Sequence, residues 1–164
     1  MKHIINLDEV PLEHHTHGDK FEARYGHLAP LVGARLLGAG LHVVPPGKRA
    51  WPFHNHHVNE ELYVILDGEG VVRIGEHEHA IRAGDVIGAP PGGKETAHQI
   101  INTSATRELR YLCVSTMIPN EIVEYPDSGK VAAYVGKAPG GADDALTFYY
   151  RGRMDAPAEY WDGE

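Results

Sequence analysis

The sequence predicts an all-β domain with little helix, either a sandwich or a barrel, and three observations support this class. Short apolar runs, several with a two-residue alternation, recur along the 164 residues. The segments between them are rich in turn-forming residues, and the chain holds 19 glycines and 11 prolines. No internal repeat or linker marks a second domain, so a single domain is expected over residues 1–164. The predicted strands are Phe21–Tyr25, Ala34–Val44, Glu61–Leu66, Gly70–Ile74, Glu78–Arg82, Val86–Ala89, Ala97–Asn102, Leu109–Thr116 and Ala132–Val135.

The connections between these strands predict tight turns and very little helix. Gly68 and Gly70 flank Glu69 in a pattern that suits a tight hairpin with positive φ. Single helical turns are expected at Asn120–Val123, directly after a proline, and at Ala142–Leu146.

The C-terminal stretch, residues 149–164, has no regular period, and Pro157 opposes a continuous helix there. We therefore expect an extended or irregular tail whose aromatic side chains pack on the barrel or on a second subunit. Those side chains are Tyr149, Tyr150, Tyr160 and Trp161.

Charge and composition exclude several classes of partner. The formal net charge of −8 argues against a nucleic acid or an anionic membrane, both of which call for a basic surface. No apolar run approaches the roughly 18 residues that a membrane span needs. Acidic residues stand where a signal peptide would carry its apolar core, and Cys113 is the single cysteine, so no disulfide forms within the chain. A cytoplasmic location is expected.

Histidines and a glutamate form the most informative pattern. His54 and His56 are two apart, so on a strand both side chains leave the same face. Glu61 follows after a polar break and begins the apolar run Leu62–Leu66. A fourth candidate, His98, follows a segment rich in Gly and Pro. Imidazoles and carboxylates are ligands for divalent first-row metals, so this group predicts a metal site.

Residues 47–68 and 84–102 resemble the two sequence motifs of the cupin superfamily. Glu61 fits the spacing of the first motif better than Glu60 does. The second motif is lengthened here, because the insertion 93–97 precedes its histidine and places a polar loop beside the site. The matching positions are Gly47, His54, His56, Glu61 and Gly68 in the first motif, and Gly84, Pro90, Gly92, His98 and Asn102 in the second.

The resemblance implies a double-stranded β-helix, the cupin or jelly-roll barrel. Its core would span about residues 34–116, with an N-terminal strand segment at 1–33 and a C-terminal extension at 117–164. The implied ligands at one mouth of the barrel are His54, His56, Glu61 and His98. They would leave two of six octahedral positions open. One divalent transition metal per chain, Fe, Mn, Ni or Zn, is expected.

The chain is also similar to small single-domain bacterial cupins named as sugar-phosphate isomerases, in the loop before His98 and in segments 123–128 and 160–164. This resemblance implies a metal-dependent isomerase, with Tyr63, which shares the face of Glu61, or Glu95 as the catalytic base. An Fe(II)-dependent dioxygenase and a non-catalytic small-molecule-binding cupin are the alternatives. A homodimer is expected, because cupins often pair and the aromatic tail offers an apolar surface.

The other histidines and the cysteine favour structural roles. His57 points away from its neighbours, and the cluster His14–His17 is expected in a solvated loop. His42 lies in an apolar strand, where a core histidine with a hydrogen-bond partner is more common than a ligand. Cys113 is expected to pack as a small apolar residue.

The basic residues nearest to the motifs or to a barrel strand are Arg49, Lys94 and Arg110. An anionic substrate, such as a sugar phosphate or a carboxylate, would gain a charge-assisted partner from any of them. Surface solubility is the alternative role for each.

Overall fold

The structure is a computed structural model that describes residues 3–139, 147–155 and 157–164. In these ranges it is built almost entirely of antiparallel strands, with one short helix, α1 (Ala29–Val32), and 3-10 turns at Leu7–Glu9, Lys94–Thr96 and Pro126–Ser128. The strands are β1 (Glu13–His17), β2 (Phe21–His27), β3 (Leu37–Val44), β4 (Asn55–His56), β5 (Glu61–Asp67), β6 (Glu69–Ile74), β7 (His77–Arg82), β8 (Val86–Ala89), β9 (His98–Ile101), β10 (Leu109–Thr116), β11 (Glu121–Tyr125), β12 (Lys130–Val135) and β13 (Phe148–Arg153).

The strands form a double-stranded β-helix, which confirms the predicted fold class. One sheet has the order β1-β2-β3-β10-β5-β8. A second has the order β13-β12-β11-β4, and a third the order β7-β6-β9. The backbone of His54 is bridged to that of His98, which ties the segment before β4 to the start of β9.

The core lies between the sheets, and β5 shows how the sequence directs it there. Tyr63 and Ile65 are buried, whereas Leu62 on the opposite face is 41% exposed. Tyr63 and Ile65 join a cluster that also includes Leu109 and Tyr111. Full burial of such a side chain stabilises the fold by about 1.5–3 kcal/mol. Glu61, the first residue of β5, lies on the same inward face as Tyr63 and Ile65.

The turn after β5 differs from the predicted hairpin. Gly68 has the expected positive φ of 86°. However, β5 pairs with β10 and β8, whereas β6 pairs with β7 and β9, so Gly68 makes a corner between two sheets. Gly70 lies within β6, where a Cβ atom would clash with the carbonyl oxygen of Ile101.

The helical turn predicted at Asn120–Val123 is wrong, because this segment enters strand β11. Asn120 has a φ of 69°, a left-handed conformation that a right-handed helix cannot include. Glu121 and Val123 are buried and Ile122 is 40% exposed, which is the two-residue period of a strand. The turn predicted at Ala142–Leu146 lies outside the described residues.

The two chain termini also depart from expectation. The histidine cluster is solvated as predicted, but it forms the exposed edge strand β1, paired with β2, rather than a loop. The tail begins with strand β13, paired with β12, where Tyr149 and Tyr150 are about half exposed. Tyr160 and Trp161 are 84% and 76% exposed, so within one chain they do not pack on the barrel. Among the described helices, none has both the length and the apolar character to cross a membrane.

Candidate metal centre

Three separate segments bring the four predicted ligands together at one mouth of the barrel. His54 lies just before β4 and His56 lies on it. Glu61 is the first residue of β5, and His98 is the first residue of β9. The backbone bridge between His54 and His98 holds the first and last of these segments in register. The two-residue spacing of His54 and His56 directs both rings towards Glu61, as the sequence predicted.

All three imidazoles approach the same carboxylate oxygen, Oε2 of Glu61. Its distance from Nε2 is 3.0 Å for His98, 3.5 Å for His56 and 3.9 Å for His54. One donor atom from each of His54, Glu61 and His98 lies within 4.8 Å of the other two, a group that could hold a metal ion. Neighbouring ligands at about 2.1 Å from one octahedral ion are themselves about 3 Å apart, so the spacing suits a shared ion.

The opposite ring nitrogens show which protons the imidazoles carry. Nδ1 of His54 lies 2.8 Å from the carbonyl oxygen of Pro52, and Nδ1 of His98 lies 3.2 Å from that of Thr96. A carbonyl only accepts, so each Nδ1 donates, as in metal-binding histidines held by an outer hydrogen bond. In the neutral ring Nε2 then presents a lone pair to Glu61. The close contact needs a positive charge, a proton or a metal ion, and the donor set therefore fits a metal.

Burial and charge keep two of the ligands, His54 and Glu61, in the protonation states that metals bind. Burial lowers the pKa of His54 to about 4, so its imidazole is neutral at pH 7. Burial alone would raise the pKa of Glu61, but the adjacent imidazoles of His98, His56 and His54 hold it well below its usual range. A neutral imidazole beside a carboxylate is the state that binds a cation.

Tyr63 and Cys113 both donate hydrogen bonds to the carboxylate of Glu61. The Tyr63 hydroxyl donates to Oε2 of Glu61 at 2.7 Å and lies 2.9 Å from Nε2 of His98. The Cys113 thiol donates to Oε1 of Glu61 at 3.4 Å, so it faces the interior of the barrel. Burial, together with the charge of Glu61, raises the pKa of both groups well above their usual values. Both are therefore neutral hydrogen-bond donors at pH 7.

The structure does not bring Glu95 into this group. Its side chain is exposed on the 3-10 turn before β9 and accepts a hydrogen bond from the amide of Gly93. Glu60 is likewise exposed. His57 faces away from the ligands, as predicted, and lies 2.9 Å from the carboxylate of Glu124.

Glu121 is a buried residue of the site that the sequence reasoning missed. Its carboxylate has 0% exposure and accepts hydrogen bonds from five N–H groups. The donors are the backbone amides of His57, Val58, Asn59 and Ile122 and the side-chain amide of Asn59. These bonds fix the segment that joins two ligands, His56 and Glu61.

Glu121 also contacts a ligand directly. Its Oε2 lies 3.5 Å from Nδ1 of His56, a buried atom that has no hydrogen-bond partner among the described residues. Burial would raise the pKa of Glu121, but His56 and Asn59 lower it to about 2. The only sequence signal was the alternation that puts Glu121 on the inner face with Val123. Nothing in the sequence indicated which loop it would reach.

Aromatic side chains form the walls of a small cleft beside the ligands. Its free volume is about 10 Å³, roughly the space of one water molecule. Outside the cleft, the ring of Tyr125 stacks on that of His54, with centroids 6.2 Å apart. The cleft is lined by Trp51, Pro52, His54, Tyr63, His98, Gln99, Ile100 and Tyr111.

His42 lies behind this wall as a core histidine, in agreement with the prediction. Nε1 of Trp51 donates to its Nε2 at 2.9 Å, and its ring stacks on Tyr111. Burial lowers the pKa of His42 to about 3, so it is neutral. Its role in the described structure is packing behind the cleft.

The basic residues chosen from the sequence do not line the cleft. Arg110 pairs with Asp8 at 2.8 Å, and Lys94 is exposed on the 3-10 turn. Nε of Arg49 is buried without a hydrogen-bond partner among the described residues. None of the three is among the residues that line the cleft.

Comparison with known proteins gives the family of the fold. Residues 40–115 match the sequence profile of the cupin domain family. An uncharacterised protein of Methanocaldococcus jannaschii is 34% identical over 73 residues, which are 44% of this chain and 54% of that protein. The match therefore spans about half the length of that curated relative.

Three solved structures share the fold. A protein of Acidithiobacillus ferrooxidans, provisionally described as a sugar phosphate isomerase, matches 95% of this chain and 96% of its own with a TM-score of 0.77 and 24% identity. A cupin of Silicibacter pomeroyi described as a sugar phosphate isomerase aligns over 96% of this chain and 97% of its own length, with a TM-score of 0.75 and 20% identity. A predicted oxalate decarboxylase of Thermotoga maritima aligns over 70% of this chain and 99% of its own length, with a TM-score of 0.60 and 28% identity.

The barrel topology, the ligand cluster at its mouth and the matched cupin domain lead to one conclusion. Residues 40–115 of this chain form a cupin domain.

Proposed function

We propose that this cupin is a metal-dependent enzyme acting on a small molecule, with isomerisation of a sugar phosphate as its reaction. The observation that carries the proposal is the convergence of three imidazole nitrogens on one oxygen of Glu61. Two structures that match nearly the whole chain are described as sugar phosphate isomerases. At 24% and 20% identity, this likeness shows the fold alone, and it only ranks the reactions to be tested.

The residues present fit a divalent transition metal, held by His54, His56, Glu61 and His98. When bound, such an ion would polarise a substrate carbonyl as a Lewis acid. Burial excludes most water from the ligands, because His56 and His98 are only 8% and 3% exposed. Electrostatic contacts in such a site are stronger than in water.

Tyr63 is the residue that we propose to act on the substrate. Its hydroxyl is a neutral donor beside Glu61 and His98. When substrate binds, the hydroxyl would turn its single proton from Glu61 to a substrate oxygen, where a donor stabilises developing negative charge. Its raised pKa favours the role of hydrogen-bond donor over that of base.

Metal analysis and an exchange assay test this proposal. Protein purified without added metal should contain about one equivalent of a divalent transition metal per chain, and His98→Ala should lose it. Incubation of the metal-loaded protein with aldose phosphates in D₂O without oxygen should exchange the proton at C2, as followed by NMR. Absence of metal with all four ligands intact, or of exchange with every sugar phosphate, would contradict the proposal.

The aromatic cleft favours oxygen-dependent cleavage as the second candidate. Trp51, Tyr63 and Tyr111 line the cleft and would pack against the part of a planar aromatic substrate that reaches it. The same ligand set suits Fe(II). Oxygen consumption with Fe(II)-loaded protein and catechols tests this reaction. Stabilisation by a ligand without turnover in either assay would indicate a non-catalytic binding cupin.

We also propose that the protein is a cytoplasmic homodimer. The support is the exposed aromatic tail, in which Tyr160 and Trp161 offer apolar surface to a second copy. Light scattering coupled to gel filtration tests the dimer. A Trp161→Ala change should weaken dimer formation if this contact is made.

A further inference from the structure

The second sheet carries one ligand and three cations on the same face. β11 pairs with β4 so that Val123 lies opposite His56, and Ala132 of β12 lies opposite Val123. Arg151 of β13 lies opposite Ala132 in turn. Directly opposed residues share a face of the sheet, so the side chain of Arg151 is on the face of His56.

The same register and the alternation of strands place further residues there. Tyr125 is opposite Lys130, which is opposite Arg153, and Tyr134 is opposite Tyr149. We call this surface the cation–phenol face, and its members are Tyr125, Lys130, Tyr134, Tyr149, Arg151 and Arg153.

Measured contacts connect this face to the metal centre. The ring of Tyr125 is 6.2 Å from that of His54. Nζ of Lys130 lies 5.4 Å from the centroid of the Tyr125 ring, and Cζ of Arg151 lies 6.0 Å from it. Both cations are therefore one aromatic ring away from a candidate ligand.

The charge on this face is not neutralised within the described structure. Four other arginines, Arg24, Arg73, Arg107 and Arg110, each pair with a carboxylate. In the described ranges, Lys130, Arg151 and Arg153 have no carboxylate within 4.0 Å. Their partners are neutral groups: Tyr134 for Arg151 and the carbonyl of Ser128 for Arg153.

A concentration of cations is unusual in a chain whose net charge is −8, because the surface as a whole repels anions. The carboxylate of Glu121 lies at the buried edge of the same sheet, but it is already held by five N–H groups. The face therefore favours binding of an anion beside the metal centre.

The size of the cleft gives a reason for an anion to lie there. With a free volume of about 10 Å³, the cleft is too small for a whole sugar phosphate. The rest of the molecule must extend out of the mouth, and Tyr125 borders the mouth at His54. A phosphate monoester, with up to two negative charges, matches a pair of neighbouring cations better than a neutral group does.

We propose that the cation–phenol face binds the phosphate of a sugar-phosphate substrate, with Arg151 and Lys130 as its charge-assisted partners. This inference rests on the proposed function, since it names the group by which the substrate of that site is held. Arg151 and Lys130 thus take the anion-binding role that the sequence had suggested for Arg49, Lys94 and Arg110.

Binding measurements on the full-length, metal-loaded protein test the inference. Titration calorimetry would compare ribose 5-phosphate, ribose, inorganic phosphate and the dicarboxylate malate. Arg151→Gln and Lys130→Gln should each weaken binding of the two phosphates by about tenfold, since each removes one charge-assisted hydrogen bond. The affinities for ribose and for the metal should stay unchanged. Arg107→Gln is the matched control, because Arg107 is an exposed arginine on the loop before β10.

The outcomes separate this inference from the proposed function. Equal phosphate affinities in Arg151→Gln, Lys130→Gln and Arg107→Gln would overturn the phosphate subsite, even if the protein isomerises sugar phosphates. Binding of malate but not of phosphate would overturn it as well. Loss of phosphate binding in the two face variants, without C2 exchange by the wild type, would support the subsite and contradict the isomerase.

Discussion

Replacing Glu121 by Gln tests whether one buried carboxylate holds the metal site together. The change keeps the shape of the side chain but puts an NH₂ group in place of one oxygen. Oε1 accepts from the amides of His57, Val58 and Ile122, whereas Oε2 accepts from the backbone and side chain of Asn59. The amide oxygen of Gln can occupy only one of these positions.

One arrangement places the amide oxygen of Gln at the position of Oε1. The two donors of Asn59 then face the NH₂ group without an acceptor. A buried donor left without a partner costs about 1–3 kcal/mol, so the free energy of unfolding should fall by about 2–6 kcal/mol. The ring of His56 also loses the carboxylate at its Nδ1, so metal affinity should fall by about 10- to 100-fold.

Urea denaturation of the metal-free protein measures the first effect, and calorimetric titration with Zn²⁺ measures the second. Glu124→Gln is the matched control on the same strand, because the contact of Glu124 is with the exposed ring of His57. That change should alter stability by less than about 1 kcal/mol.

If Glu121→Gln were as stable as the wild type within 1 kcal/mol, the five hydrogen bonds would not carry the role assigned to them. If stability fell but Zn²⁺ affinity did not, Glu121 would hold the fold without positioning His56.

Three further predictions address the ligands, the donor and the pH dependence. Glu61→Gln should weaken Zn²⁺ binding by at least about 100-fold, whereas Glu60→Gln should leave it unchanged in the same titration; equal losses would contradict the ligand assignment. Tyr63→Phe should lower metal affinity by about tenfold through loss of its bond to the carboxylate, and Glu95→Gln should have no effect on affinity or C2 exchange. His42 binds a proton near pH 6.5 when unfolded but near pH 3 when folded, so the unfolded chain binds more protons between these values. The stability of the metal-free protein should therefore fall as pH decreases through this window, by up to about 1.4 kcal/mol per pH unit from this group, and His42→Gln should show a shallower slope in urea denaturation at several pH values.

Much of the fold could be predicted because strand periodicity is a local property. The alternation in β5, with Tyr63 inside and Leu62 outside, follows from the two-residue repeat of any strand. The predictions failed where long-range pairing decides the structure. Segment 120–123 enters a strand because it pairs with β12 and β4. The polar cluster at 14–17 becomes a strand because it pairs with β2.

The sequence by itself determined the all-β class, because strand periodicity is local, and its resemblance to the cupin motifs supplied the four candidate ligands, of which strand geometry places His54 and His56 on one face. Only the tertiary structure decided which other groups meet them. Glu121 is 62 residues from Asn59 along the chain, and the charged partners on β12 and β13 are farther still from the ligands of the first motif. Contacts across such separations depend on sheet register. Register is set by the pairing of whole strands, which no short stretch of sequence contains.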